Sequence, residues 1–380
     1  MTPERPRYFL TAFALTSGIG ALALTAFAAV VDPFGLSPFS IEIRGINSVK
    51  IARGQQDRLY RAYDPLVQRP QIILLGTSRL NRAMDPVLIE ALTGKRSYVA
   101  GLNGASLGEL ASLLREWLRR GVPLEEVVVD LYYWRIIPRP DNTIAPHRFH
   151  RVADFFAVYL STRMLGAAMD TLAGNRAGAS PKHFRRDGFE EPRPEVAARL
   201  QEGGFGKWWE TASRLVKPIG PDDLAPLFEI RDLCQRYQLR CRFMISPIHP
   251  YRLAAFQQDG TWEVLVEMKE KLSAIVPLHD FSRFDPELFH RFCRPTTAWL
   301  DPGHFSPETG GRIVRVLFKS GNSREGRDFG QVIAYTANDE ELDEWSRAVT
   351  AWRTANREFG RIGPSGGREY TCPESRSSGK

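Results

Sequence analysis

The chain has 380 residues, of which 43% are hydrophobic and 25% are charged, as in an ordinary globular protein. Its formal net charge is only +7, and the basic residues are spread along the sequence. With no lysine-rich run, zinc-finger spacing or aromatic-basic repeat, the sequence argues against a nucleic-acid-binding protein.

An uncharged apolar segment lies near the start of the chain. Tyr8 to Val31 contains 24 residues without a charge, and a helix of that length is about 36 Å long, enough to cross the hydrocarbon core of a bilayer. Arg5 and Arg7 precede the segment and the next basic residue is Arg44. The positive-inside rule therefore predicts a cytoplasmic N-terminus and an extracytoplasmic remainder.

A cleaved signal peptide is the alternative interpretation of this segment. Ala26-Phe27-Ala28 resembles a small-x-small cleavage site, and cleavage there would give a secreted protein. Because the apolar run is long for the core of a signal peptide, we predict an uncleaved transmembrane helix.

Short apolar runs and amphipathic stretches alternate further along the chain. The predicted strands are 71–75, 97–100, 127–133, 240–246 and 277–281, and the predicted helices are 84–92, 107–119, 224–237, 262–275 and 307–318. Strands that alternate with helices indicate an α/β domain with a helix-covered parallel sheet. Such sheets bind their ligands at the carboxyl ends of the strands.

The alternation lapses between residues 138 and 220. We interpret this stretch either as a lid or substrate-contacting face or as a plain surface excursion. A charged segment with one helix, predicted over 339–359, and a Gly-, Ser- and Arg-rich tail end the sequence. The predicted parts are an anchor (1–31), a connector (32–68), an α/β domain (69–320) with the insertion 138–220, and the C-terminal segment (321–380).

The four cysteines form no recognisable framework. Cys234 and Cys241 are close enough in sequence to pair across a helix-to-strand turn, and export would permit a disulfide; buried thiols are the alternative. Their spacing, with Cys293 and Cys372, fits no metal site, and we expect no metal or other cofactor.

Two short motifs far apart in sequence carry residues that can act together. Ser78 ends Gly76-Thr77-Ser78 at the carboxyl end of the first predicted strand, and Asp301 and His304 precede the last predicted helix. A serine hydroxyl needs a histidine base to attack an acyl carbon, and a carboxylate to orient that base. Taken singly, the first motif is also typical of a helix cap, and the second of a turn aspartate and a surface histidine.

These motifs resemble those of the SGNH (GDSL-like) hydrolase superfamily. Gly76-Thr77-Ser78 matches the first block, which holds the nucleophile, and Asp301–Ser306 matches the last block, which holds the acid and base of the triad. The segment Tyr98–Ser106 is similar to the second block, whose glycine donates an N–H to the oxyanion hole. The resemblance implies Ser78, Asp301 and His304 as catalytic residues and an oxyanion hole built from Ser78 with Gly101, or with Gly104 as second choice.

The resemblance covers residues 71–318 without the insertion, and it implies a three-layer α/β/α domain with a flavodoxin-like parallel sheet. One block departs from the pattern. The third block normally supplies an asparagine to the oxyanion hole, whereas no Gly-x-Asn-Asp follows the third predicted strand and Asn142 matches no motif. Loss of one such donor costs roughly 10²–10³ in rate.

A single membrane anchor before an SGNH-like domain resembles the envelope proteins that O-acetylate exported polysaccharides such as alginate. That likeness implies an esterase or O-acyltransferase acting on an envelope glycan or another acylated substrate, with a membrane protein as acyl donor. A protein that keeps the fold and binds polysaccharide or partner proteins without catalysis is the alternative.

Three further positions can contact a substrate. Arg79 can pair with an anionic sugar or with a carboxylate of the protein, and His249, at the end of a predicted strand, can contact substrate or be a satisfied loop histidine. Trp208-Trp209 can stack on sugar rings or pack the insertion onto the domain.

Overall fold

The structure is a computed structural model. It describes residues 4–37, 41–54, 57–132, 159–178, 184–191, 218–289, 297–301, 303–319, 329–330, 332–333 and 339–356. The chain divides into two compact units, the first drawn from residues 1–68 and 144–186 and the second from residues 69–143 and 187–380.

The helices of the described residues are α1 (Glu4–Val31), α2 (Asp57–Gln68), α3 (Ser78–Ala83), α4 (Pro86–Thr93), α5 (Leu107–Arg119), α6 (Thr162–Arg176), α7 (Ala225–Arg236), α8 (Pro250–Gln258), α9 (Trp262–Ser273), α10 (Pro307–Phe318) and α11 (Asp339–Ala355). The strands are β1 (Ile72–Thr77), β2 (Ser97–Leu102), β3 (Glu126–Asp130), β4 (Arg240–Ile245), β5 (Leu278–Asp280), β6 (Trp299–Asp301), β7 (His304–Phe305) and β8 (Val332–Ile333).

The first unit contains α1, α2 and α6. Within the described part of the chain, α1 is the one helix long and apolar enough to cross a membrane, over Tyr8–Val31. Most of its side chains are exposed, but Thr25, Ala28 and Val31 are buried, and α1 contacts α6. A membrane anchor and a signal sequence both have this length and composition.

The second unit is built on a parallel sheet, as the alternation of the sequence predicts. Its strand order is β2-β1-β3-β4-β5-β8; β1 to β5 run parallel, and β8 is antiparallel to β5. The central strands β1 and β3 are buried along their whole length and are nearly all apolar between their ends, because helices flank the sheet.

The predicted element bounds fit best where capping signals are strong. The helices predicted at 107–119 and 307–318 are α5 and α10, which begin after the capping residues Ser106 and Ser306. The structure differs directly after β1, where the short helix α3 begins at Ser78. Thr77 caps α3 by accepting a hydrogen bond from the Arg79 N–H (3.4 Å). Six residues are too few for a helical stripe to show in the sequence.

The sequence left open whether Cys234 and Cys241 form a disulfide or are buried thiols, and in the structure they form a disulfide. Cys234 in α7 is joined to Cys241 in β4, across the turn that leads from helix to strand. Cys293 and Cys372 lie outside the described residues. Disulfides of this kind persist in oxidising compartments.

The C-terminal helix belongs to the second unit. It ends at Ala355 rather than at residue 359, and the tail beyond lies outside the described residues. The ring of Trp345 in α11 packs at a tilt against Trp262 (4.3 Å between ring centroids). The Lys269 ammonium lies over the Trp345 ring and forms a fully buried ion pair with Asp280 (2.8 Å). Helix α11 is therefore packed onto the rest of the second unit through an aromatic and a cation–π contact.

Close packing between α10 and α3 brings the two predicted motifs together. α3 begins with Ser78, and α10 follows His304 by three residues. Gly310 of α10 lies so close to α3 that an added Cβ would be 1.9 Å from the Ala83 carbonyl oxygen, whereas at Gly311 the nearest atom would be 3.5 Å away.

We expect Gly310→Ala to destabilise the protein and to move His304 away from Ser78, because the clash is with rigid backbone. Overpacking of this kind costs typically 1–3 kcal/mol. The neighbouring change Gly311→Ala meets only an ordinary contact, and alanine favours a helix over glycine by about 1 kcal/mol, so its unfolding midpoint should be equal or higher. Thermal unfolding of the two variants in detergent tests this; equal midpoints would contradict it.

Candidate active site

Ser78, His304 and Asp301 come together at the carboxyl end of β1. The Ser78 Oγ lies 3.0 Å from the His304 Nε2, and the His304 Nδ1 lies 2.9 and 2.8 Å from the two carboxylate oxygens of Asp301. The antiparallel ribbon β6-β7 pairs Asp301 directly with His304, and β1 ends immediately before Ser78. The order Oγ–Nε2–Nδ1–carboxylate is that of a Ser-His-Asp triad.

Electrostatics favour an ionised Asp301. Burial opposes its charge, but the attraction of His304, hydrogen bonds from His304 and from the Gly303 N–H (2.7 Å), and the charge of Arg82 outweigh burial and lower its pKa to about 2. With a carboxylate accepting at Nδ1, the ring proton lies on Nδ1, and Nε2 is left as the acceptor for the Ser78 hydroxyl.

Electrostatics favour a neutral His304. Burial lowers its pKa below the usual 6.5, the charges of Arg82 and Arg79 act in the same direction, and the opposing attraction of Asp301 is smaller in sum. A neutral imidazole within hydrogen-bond reach of a serine is poised to accept its proton.

Arg82 lies beside this pair. Its Nη1 is 3.3 Å from the His304 Nδ1 and 3.8 Å from an Asp301 carboxylate oxygen, and its Nε is 3.2 Å from the Glu190 carboxylate. Glu190 belongs to the predicted insertion, and its N–H donates to the Asn81 carbonyl (2.8 Å). Part of the insertion therefore reaches α3 next to the site, while Trp208, Trp209 and Asn142 lie outside the described residues.

Arg79 is buried, with each guanidinium nitrogen engaged by the protein. Its Nε donates to the Ser246 hydroxyl (3.1 Å), its Nη1 to the Gly303 carbonyl (2.7 Å) and its Nη2 to the Pro247 carbonyl. The guanidinium also lies over the Tyr132 ring, 3.9 Å from its centroid. These contacts favour a positioning role over the sequence-based expectation of contact with an anionic sugar.

The charge of Arg79 is compensated by a carboxylate that is linked to it through one intervening side chain. The Ser246 hydroxyl and N–H both donate to Asp130 (3.1 Å each), so Asp130, at the end of β3, is linked to Arg79 through Ser246, just after β4. Burial raises the pKa of Asp130 to about 6 against the opposing effects of Arg79 and the Ser246 bonds.

The predicted oxyanion donors differ in their surroundings. Ser78 is the first residue of α3, where the N–H has no acceptor within the helix. The Gly101 N–H instead donates to the Asn81 side chain (2.8 Å), which also donates to the Gly101 carbonyl (2.6 Å). Gly104 lies in the turn after β2. The bonds to Asn81 argue against Gly101 as the partner of Ser78 in an oxyanion hole.

His249 is buried away from solvent. Its Nδ1 accepts a hydrogen bond from the Tyr251 N–H (3.1 Å) and so caps α8, and its ring meets the Trp299 ring edge-on at 4.8 Å. This arrangement favours the alternative of a satisfied histidine over a substrate contact.

Sequence reasoning missed the supporting residues. Asn81 and Arg82 follow Ser78 by three and four residues, on the same face of a helix that the sequence analysis did not predict. Asp130 and Ser246 lie at the carboxyl ends of adjacent parallel strands, which is a usable signal for a shared site. Among the described residues, no cluster of three or more His, Cys, Asp and Glu side chains is placed to hold a metal ion.

Comparison of the chain with protein-family models, with curated proteins and with solved structures gives no match. Its function must be argued from the site itself.

Proposed function

We propose that the protein is a membrane-anchored serine acyl hydrolase or acyltransferase of SGNH type, acting on esters of an exported envelope polysaccharide. The chain of contacts from the Ser78 Oγ through His304 to Asp301 carries this proposal. The glycan and the O-acetyl group come from the resemblance of the motifs and of the anchored arrangement to envelope O-acetyltransferases.

The sheet supports the proposed fold type. The order β2-β1-β3-β4-β5 is that of flavodoxin-like doubly wound sheets, in which helices cover both faces in three layers. The chain passes from β1 to β2 on one side and then to β3 on the other, so β1 and β3 flank a topological switch point. Ligands of such sheets bind at the carboxyl ends of the strands at this point, which is where Ser78 lies.

The proposed reaction runs in two steps. As the Ser78 Oγ attacks the acyl carbon, the His304 Nε2 takes the hydroxyl proton, and the backbone N–H of Ser78 stabilises the negative carbonyl oxygen. The intermediate expels the leaving alcohol, which His304 protonates, and an acyl ester remains on Ser78. An acceptor hydroxyl, deprotonated by His304, then attacks that ester; the bond between the acyl carbon and the Ser78 Oγ breaks, and His304 returns the proton to the Oγ.

The acceptor decides between the two activities. Water gives an esterase, and a sugar hydroxyl in a water-excluding groove gives an acyltransferase. An acyltransferase outside the cytoplasm needs an acyl donor there, which we propose is a membrane protein. The disulfide between Cys234 and Cys241 supports the extracytoplasmic location.

We further propose that α1 is retained and not cleaved. Thr25, Ala28 and Val31 are buried in the first unit, and the fully buried Asn47 donates to the Val30 carbonyl (3.0 Å). Cleavage after Ala28 would remove two of these three buried side chains, both of which belong to the packed end of α1.

The intact mass of the protein isolated from membranes tests retention. We expect a mass that includes residues 1–28. A mature chain beginning at Ala29 would overturn the anchor and leave the secreted alternative.

We expect a fluorophosphonate probe to label the full-length protein in detergent at one serine, and Ser78→Ala to abolish labelling. The probe reacts only with a serine whose proton can be removed, so His304→Ala should reduce labelling by several orders of magnitude. Intact mass reports labelling; Ser97→Ala, which removes a buried hydroxyl at the start of β2, away from the site, is the matched control and should still label.

An unlabelled wild type that unfolds cooperatively would contradict the assembled triad. It would favour the alternative of a non-catalytic protein that binds polysaccharide or partner proteins through the same fold.

The labelling rate should follow the protonation of His304. Because the neutral ring is the active form and its pKa is lowered, the rate should be lost only as pH falls below 6.5 and be level from there to about pH 8. Arg82→Met removes a positive charge that lowers this pKa, so the acid limb should move to higher pH, whereas Arg82→Lys should leave it nearly in place. An acid limb that does not move in Arg82→Met would contradict the electrostatic account.

A further inference from the structure

The end of α1 has two different faces. Thr25, Ala28 and Val31 are buried, whereas Ala26 and Val30 (61% exposed) are not. The spacing of three between the buried residues places them along one side of the helix. The apolar residues on the other side remain exposed where α1 joins the folded part of the first unit.

A buried asparagine extends this exposed apolar face beyond the helix. The Asn47 Nδ2 donates to the carbonyls of Val30 (3.0 Å) and Ile41 (2.9 Å), and the Asn47 Oδ1 accepts from the Ile43 N–H (2.6 Å). These three bonds hold the segment 41–43 beside the last turn of α1. Ile41, 71% exposed, and Ile43, 39% exposed, therefore lie close to Val30.

The length of α1 sets the depth of these residues. Its 24-residue apolar span is about 36 Å long, against about 30 Å for the hydrocarbon core. About four residues are therefore in excess, which places the turn ending at Val31 at the boundary between acyl chains and head groups. Glu42, exposed and paired with Arg186 (3.4 Å), suits a head-group position and excludes a deeper one.

We propose that Val30, Ile41 and Ile43 form a lipid-facing patch that rests in the bilayer boundary at the carboxyl end of α1. The first unit then contacts the membrane surface directly. Helix α1 is rigidly attached to this unit, because its last turns are packed and Asn47 fixes the adjoining loop. The inference depends on the proposed membrane span but not on the proposed chemistry.

Spin labelling of the full-length protein in phosphatidylcholine nanodiscs tests the patch. Cys293 and Cys372 are replaced by serine, and a nitroxide is attached at Ile41→Cys, whose exposed side chain can change without disturbing the fold. We compare its collision rates with oxygen, which concentrates in lipid, and with a water-soluble nickel chelate. Leu15→Cys in the apolar span and Val87→Cys, an exposed apolar position (54%) of the second unit, are the references.

We expect the oxygen-to-nickel ratio at position 41 to be several-fold higher than at position 87 and to approach that at position 15. A ratio at 41 equal to that at 87, with a lipid-like value at 15, would overturn the patch while leaving the span in place. A water-like value at 15 would overturn both. Labelling of Ser78 by the fluorophosphonate probe in the same samples reports the proposed chemistry separately.

Discussion

The site depends on one buried guanidinium. Arg79 follows Ser78 directly and donates to Ser246, to the Pro247 carbonyl and to the Gly303 carbonyl, which lies between Asp301 and His304. Three segments from distant parts of the chain are therefore fixed by one rigid side chain. A planar fork of donors can satisfy several acceptors at once, which a lysine in the same place cannot do.

Burying that charge requires compensation, and the sheet provides it. Asp130 ends β3 and pairs with Met244 in the neighbouring parallel strand β4, and Ser246 follows β4 directly. The Asp130 carboxylate therefore accepts hydrogen bonds from Ser246, which in turn contacts Arg79. A buried charge without a partner destabilises a protein strongly. The positions that hold the nucleophile and base in register are thus also positions on which the stability of the domain depends.

Two arginines contribute to the lowered pKa of the proposed base, His304. Burial lowers the pKa of His304, Arg82 and Arg79 act in the same direction, and Asp301 opposes them. The result is a histidine that is neutral yet oriented, which suits proton transfer near pH 7. Glu190, from the predicted insertion, pairs with Arg82 and so helps to hold that guanidinium beside His304.

The sequence by itself determined the apolar span, the alternation of strands and helices, the capped helices α5 and α10, and the three residues Ser78, Asp301 and His304. The elements follow from local patterns, because hydrophobic runs, the repeat of apolar residues and capping residues are properties of neighbouring positions. The three site residues lie in two short motifs, which are also local. Only the tertiary structure decided that Gly101 gives its N–H to Asn81, that Arg79 and His249 are enclosed by protein, and that Gly310 lets α10 approach α3. Those outcomes depend on contacts between residues tens to hundreds of positions apart, which only the packing of the elements brings within reach.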